Sequence, residues 1–211
     1  MFKKNRQKKN ENTDLNIEKL EKKTSSEKRR TFLKGICFFI FLLLGVLLLV
    51  KIKTHVVSGD SMMPTLKNKD RILVVKGKEP SRYSLITFKP NKKTSDFFVK
   101  RVMGLPGDRI WLDENTVYLN YQMAETNPTP ENELNLAGTE LPDGTLKVRV
   151  SWNVAAKLQG MEKIPENQFF VLGDNRNNST DSRQLGLVDT KQVEGVVSYR
   201  YYPLNALGSI D

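Results

Sequence analysis

Apolar and polar positions divide the chain into three textures. Met1–Thr31 is rich in Lys, Asn and Glu, Gly35–Val50 is an unbroken uncharged run (GICFFIFLLLGVLLLV), and from His55 onward short apolar runs alternate with turn residues. The first stretch cannot bury enough surface to offset chain entropy, so residues 1–31 are expected to be mostly disordered, with at most a weak helix near Asp14–Lys22. The second is apolar on every face, which excludes the one-sided helix of a soluble domain and predicts a transmembrane helix. Its 16 residues span about 24 Å as a helix, short of a hydrocarbon core of about 30 Å. Phe32, Leu33 and Ile52 extend the apolar face, and Lys34 and Lys51 can snorkel, so the anchor is placed at residues 32–52.

Residues 53–211 read as β structure. Strands are predicted at Arg71–Val75, Leu85–Lys89, Asp96–Leu105, Asp108–Leu112, Val117–Tyr121, Thr145–Trp152, Gln168–Leu172 and Val193–Tyr202. DRIWLDENTVYLN has the pattern of a hairpin turning at Asp113–Thr116, and one short helix is predicted near Val154–Leu158. Residues 124–143 are polar and Pro-containing, hence a loop or excursion. The expected fold is mainly β: an antiparallel sheet body with a smaller inserted β excursion at about 113–165, behind one N-terminal transmembrane helix.

Charge sharpens that picture. The net charge of +10 first suggests a polyanionic partner. Residues 1–53, however, hold 14 Lys/Arg against 5 Asp/Glu, whereas residues 54–211 hold 20 against 19. A nearly neutral body has no nucleic-acid face, and the basic end reads as a solvated tail that orients the anchor, with an anionic-lipid or RNA contact as the alternative. Twelve Lys/Arg precede the apolar run, which places the N-terminus in the cytoplasm and the body outside. A cleavable signal peptide is the competing reading. Lys51 and Lys53 interrupt the small neutral region it needs, and a cut at Val56-Val57-Ser58 would fall just ahead of the most informative motif.

With one Cys (Cys37) and one His (His55), the chain has neither a disulfide framework nor a His-rich metal cage, and little room for a Ser-His-Asp triad. Three segments carry candidate chemistry. In SGDSMMPTL (Ser58–Leu66) a flexible turn presents Ser61 among apolar neighbours. A lone serine is usually a turn residue, and a nucleophilic one needs a base. His55 is a poor candidate for that base. Lys100, in FFVKRVMGLPGD, sits inside an apolar β segment where its amine must escape or lose its proton, since burial lowers a lysine pKa by several units. The plain alternative is a solvent-facing edge lysine. GDNRNNSTDSRQLG (Gly173–Gly186) is either an elaborate turn or the source of groups that orient a neutral lysine. Asp174, Asp181, Arg176 and Arg183 can pair there and stiffen it. Arg176 occupies a ligand position of any Ca²⁺ loop, which excludes that reading.

Together, Ser61 in SGDSMMPTL, Lys100 in KRVMGLPGD and the string GDNRNNSTDSR resemble the motif boxes of bacterial type I signal peptidases, in the order and behind the single anchor typical of the Gram-positive form. The resemblance covers roughly residues 32–205. It implies a membrane-bound Ser/Lys endopeptidase that removes signal peptides from secreted preproteins on the outer face of the cell membrane, near the Sec translocon, after small residues of the Ala-x-Ala type, with no metal or cofactor. Carried over by motif, Ser61 is the nucleophile and Lys100 the general base. Ser179 and Asp181 support them, Ser179 by bonding the lysine amine, and Arg101, Asp174 and Arg183 form structural pairs. Val57, Met62, Leu66, Phe98 and Val99 would line the substrate pockets. Gly59 stands where some members place a serine that assists the oxyanion hole, leaving the Ser61 N–H and one further donor. The alternatives are a specialised pilin or secretion maturase of the same family, and a non-catalytic membrane-anchored assembly chaperone, which would lack Ser61 or Lys100. A self-cleaving repressor would need a DNA-binding domain where this chain has its apolar run.

Overall fold

A computed structural model describes residues 29–46, 50–91, 95–121, 139–140 and 144–210. The chain forms two units, Met1–Val50 and Lys51–Asp211. In the first, residues 29–46 form helix α1, whose apolar side chains, among them Phe38, Phe39 and Phe41, are exposed. Among the described residues no helix is long and apolar enough to cross a membrane. The expected span runs through residues 47–49, which lie outside the described residues, as do the tail at 1–28 and most of the polar stretch at 122–138 and 141–143.

The second unit is built of antiparallel sheet. Strands β1 (Ile52–Val56), β2 (Arg71–Lys76), β3 (Leu85–Phe88) and β4 (Phe98–Gly104) join β9 (Gln168–Leu172), β10 (Val188–Asp189), β11 (Val193–Tyr202) and β12 (Gly208–Ser209) in the larger sheet. Its order is β1-β2-β11-β3-β4-β9-β10, with β12 beside β11. The smaller sheet holds β5 (Arg109–Asp113), β6 (Thr116–Asn120), β7 (Thr139–Glu140) and β8 (Leu146–Arg149) in the order β5-β6-β8-β7. All eight predicted strand runs form strands. The β5–β6 hairpin turns where expected, with Asp113 opposite Thr116 and Glu114 at φ 51°, a left-handed turn conformation. The predicted short helix is α2 (Trp152–Leu158), started by Ser151, whose hydroxyl accepts from Val154 N.

The core follows the pattern of each strand. LITF of β3 is buried throughout, as a strand covered on both faces must be. Ile86, Phe88, Val102, Phe169, Val171 and Val196 form one cluster; Ile110, Val117, Leu119 and Val148 of the smaller sheet pack with Val154, Leu158 and Phe170 in a second. A third, of Val57, Met62, Leu66, Ile72, Val74, Leu85, Val197 and Ile210, underlies the segment between β1 and β2.

β11, the longest strand among the described residues, pairs with β2, β3 and β12. At Gly195 a Cβ would press on the Val75 carbonyl and come within 3.0 Å of Lys76 Cα, backbone that cannot move without separating the strands. Gly195→Ala is therefore expected to cost about 1–3 kcal/mol. Thermal unfolding measures this, and an unchanged Tm would mean that the β2–β11 ladder yields.

Candidate active site

The segment between β1 and β2 is a loop tied shut at its neck. Val57 N donates to Asp70 O and Lys69 N to Val57 O, each at 2.8 Å. The Asp70 carboxylate accepts from Lys67 N and from Arg200, and Arg200 also holds the Thr65 carbonyl at 3.0 Å. Met62 and Leu66 anchor the loop in the core below it. These ties leave Ser61 half-buried at the loop's crest.

Lys100 comes from β4, opposite Ile86 of β3. It is 3% exposed, and its Nζ donates to Ser61 Oγ and to the Val99 carbonyl, both at 2.8 Å. Burial pushes the amine down to about 8, against the pull of the Asp181 and Asp174 carboxylates upward and with the Arg183 charge pressing the same way as burial. The Nζ also lies 5.4 Å from the centre of the Phe98 ring. With the amine at about 8, roughly a tenth of it is neutral at pH 7 and half at pH 8, and in the neutral form its lone pair is available to the serine hydroxyl it touches.

The third element follows β9, which is paired with β4 so that Leu172 lies opposite Arg101. That register brings residues 173–181 against both Lys100 and Ser61. Gly173 has no room for a side chain: a Cβ there would collide with Ser179 Oγ and lie 2.6 Å from the Ser61 carbonyl. Asp181, fully buried, caps α3 (Ser182–Leu185) and accepts from Gly173 N at 2.9 Å and from the Arg183 guanidinium at 2.8 and 2.9 Å. Burial alone would raise the Asp181 carboxyl, but these donors, with Ser179, hold it below its usual range. Asp174 is likewise held low against its burial, by the two-pronged Arg101 pair at 2.8 Å per arm and the Thr65 hydroxyl at 2.5 Å.

Ser61, Lys100, Ser179, Asp181, Arg101, Asp174 and Arg183 are thus brought into one neighbourhood. Val57, Met62, Phe98 and Val99 line a cleft of about 850 Å³ that opens on Ser61 and Lys100. Leu66 does not line it: fully buried, it belongs to the core beneath the loop. The Ser179 bond to the lysine amine is not formed. Its Oγ is buried without a well-formed hydrogen bond, turned toward the Asp181 carboxylate it helps to hold low. Gly59 has φ 86°, a left-handed conformation that suits glycine, and its N–H meets Asn68 Oδ1 at 3.3 Å.

Sequence reasoning missed three parts of the site. Asn175 clamps the Ser61 turn twice, its N–H on the Ser61 carbonyl at 3.0 Å and its Nδ2 on the Asp60 carbonyl at 3.1 Å. α3, only four residues long, is too short for any periodic signal, although Asp181 followed three residues later by Gln184 is a capping-box pattern. His55 lies on the cleft wall, bonded to Glu194 far along the chain. Among the described residues no group of three or more His, Cys, Asp or Glu could hold a metal ion.

A serine hydroxyl 2.8 Å from a desolvated, buried lysine amine is a pairing able to activate a nucleophile. Residues 29–202 match the family described as signal peptidase, peptidase S26. A signal peptidase I of Bacillus caldolyticus is 36% identical over 171 residues, 79% of this chain and 88% of its own. A signal peptidase IB of Staphylococcus aureus is 32% identical over 175 residues, 81% of this chain and 87% of its own. A solved signal peptidase I from Enterococcus faecalis, 30% identical, matches 56% of this chain and 97% of its own at a TM-score of 0.35. The chain belongs to the bacterial type I signal peptidase family and is a serine endopeptidase.

The crowding at Gly173 makes the site sensitive to one methyl group. Gly173→Ala is expected to displace Ser61 or Ser179 and lower kcat by about 100-fold, the scale of a 1 Å misplacement. Turnover measured beside thermal unfolding checks this; near-normal kcat would mean that the loop gives way freely.

Proposed function

We propose that this chain is a membrane-anchored signal peptidase in which Ser61 attacks and Lys100 acts as general base, cutting secreted preproteins after small residues of the Ala-x-Ala type. The observation that carries the proposal is the 2.8 Å contact between Lys100 Nζ and Ser61 Oγ in a setting that lowers the amine to about 8. Ser61 Oγ attacks the scissile carbonyl carbon as its proton passes to Nζ. The developing oxyanion is met by the Ser61 N–H, which makes no hydrogen bond among the described residues. The C–N bond breaks as Lys100 returns the proton to the leaving amine. Water then gives a proton to Lys100, its oxygen attacks the acyl-enzyme carbonyl, and Ser61 Oγ recovers a proton as it leaves.

Asp181 and Asp174 keep the surrounding cations paired, so that no cation takes the position facing the amine. The apolar lining of Val57, Met62, Phe98 and Val99 suits small side chains, and the edge of β1, unpaired among the described residues, suits an extended peptide added strand to strand. The anchor reading rests on the apolar run at 35–50 and the basic residues before it, with the N-terminus cytoplasmic and the body outside. Ser61 follows that run by 11 positions, which keeps the chemistry near the bilayer face where a signal peptide emerges.

Ser61→Ala and Lys100→Met are each expected to lower cleavage of an Ala-x-Ala precursor in detergent by roughly 10⁴-fold while the fold persists. Because the neutral amine is the base, kcat/KM of the native protein should climb with pH and level off above about 8. Cleavage by either variant at the native rate, or a profile flat from pH 6 to 9, would overturn the mechanism. For the orientation, protease added outside intact spheroplasts should digest the body and spare the tail; the reverse pattern refutes it.

A further inference from the structure

One polar group on the cleft wall takes no part in the hydrolytic chemistry. His55 of β1 lines the cleft, and its Nε2 lies 2.6 Å from Glu194 Oε2 of β11. Thr87 of β3, also on the cleft wall, donates to the same oxygen at 3.2 Å. The imidazole is fixed from another side by Phe97, ring centres 4.9 Å apart, and Lys89 Nζ sits 4.9 Å from the centre of the Phe97 ring. A carboxylate accepts and cannot donate, so Nε2 carries the proton and Nδ1 is the ring's remaining polar atom.

The place of this ring along the cleft follows from strand geometry. Along β1 and into the loop, Thr54 and Val56 are exposed, whereas His55 is half-buried and Val57 buried, so His55 and Val57 face one side. Residues two apart on a strand are about 6.6 Å apart, and an extended substrate beside β1 repeats at that same interval. With the scissile carbonyl at Ser61 and the side chain before it over Val57 and Met62, the side chain two positions further upstream falls over His55. The first of these positions is apolar. The second is not.

We propose that His55, positioned by Glu194, is a specificity-determining residue for the third side chain before the cut, and that it favours a hydroxyl-bearing side chain, Ser or Thr, over an apolar one of equal size. Thr87 is fully buried with its hydroxyl on Glu194, so the imidazole is the partner: a substrate hydroxyl can donate to Nδ1, whereas valine, the same shape as threonine, leaves that nitrogen unpaired. A site that bonds a substrate hydroxyl discriminates against the analogue lacking it. The assignment rests on the peptidase reading above.

The test uses the full-length protein in detergent at one pH, with precursors carrying Ala directly before the cut and Thr, Val or Ala two residues earlier. The native enzyme should show a Thr-to-Val ratio in kcat/KM of about 3–10, the scale of one net hydrogen bond. His55→Phe keeps a ring against Phe97 and should bring that ratio to 1 or below. Glu194→Gln, which loosens the ring without removing it, should move the ratio toward 1 and serves if His55→Phe does not fold. Both substrates are read on one preparation, so partial unfolding cancels. A native ratio at or below 1, or the same elevated ratio in the variants, overturns the role of His55. Cleavage of the Ala-x-Ala precursor separates the two readings: if the native protein cuts it and the ratio is flat, only the specificity assignment falls, whereas no cutting at all sinks the peptidase reading and this inference with it.

Discussion

Everything in the catalytic unit depends on one buried amine. A charged lysine in an apolar interior loses hydration that the protein must replace or forgo. At Lys100 neither Asp181 nor Asp174 bonds the amine: one carboxylate is committed to Arg183 and Gly173 N, the other to Arg101 and Thr65. Each therefore acts on the amine only at a distance, enough to moderate the effect of burial and too little to fix a full charge. A direct ion pair at Nζ would stabilise the protonated form and hold the amine charged. The arginines thus have an indirect part: by occupying the carboxylates, they leave the lysine uncommitted.

Three separate parts of the chain must meet for this balance to exist. Ser61 hangs on a loop closed at its neck, Lys100 sits in the β4 ladder, and the segment after β9 packs against the Ser61 turn. The contact between β4 and β9 sets the register of that segment, and Asn175 then grips the serine turn from the far side. Rigidity comes from backbone donors and capped ends more than from bulk, as suits a loop whose residues must hold position at a solvent-facing cleft.

How much of this could be read beforehand depends on the range of the forces involved. Strands such as LITF and QFFVL announce themselves because burial on both faces leaves a continuous apolar run. Ser61, Lys100 and Asp181 stand out because a hydroxyl, an amine and a carboxylate sit in unusual local surroundings. β1 escaped notice: IKTHV is mostly exposed and gains its strand character only by pairing with β2. The His55–Glu194 pair spans 139 positions, and no local pattern marks it. The pocket role expected of Leu66 failed for a related reason, since spacing alone does not tell an apolar side chain that faces a cleft from one that faces the core. Ser179 shares the cleft with Lys100 without bonding its amine, its hydroxyl being turned to the Asp181 side.

The missing side chain at Gly173 has a genetic consequence. Every amino-acid replacement reachable from a glycine codon by one base change adds at least a Cβ, and the space where that atom would go is already filled by Ser179 and the Ser61 carbonyl. This stretch of the active-site wall therefore has no evolutionary neighbours that keep its shape. An inhibitor that draws its affinity from close contact with the Gly173 backbone would press on a surface the enzyme cannot reshape at that codon, and escape would have to come from residues elsewhere around the cleft.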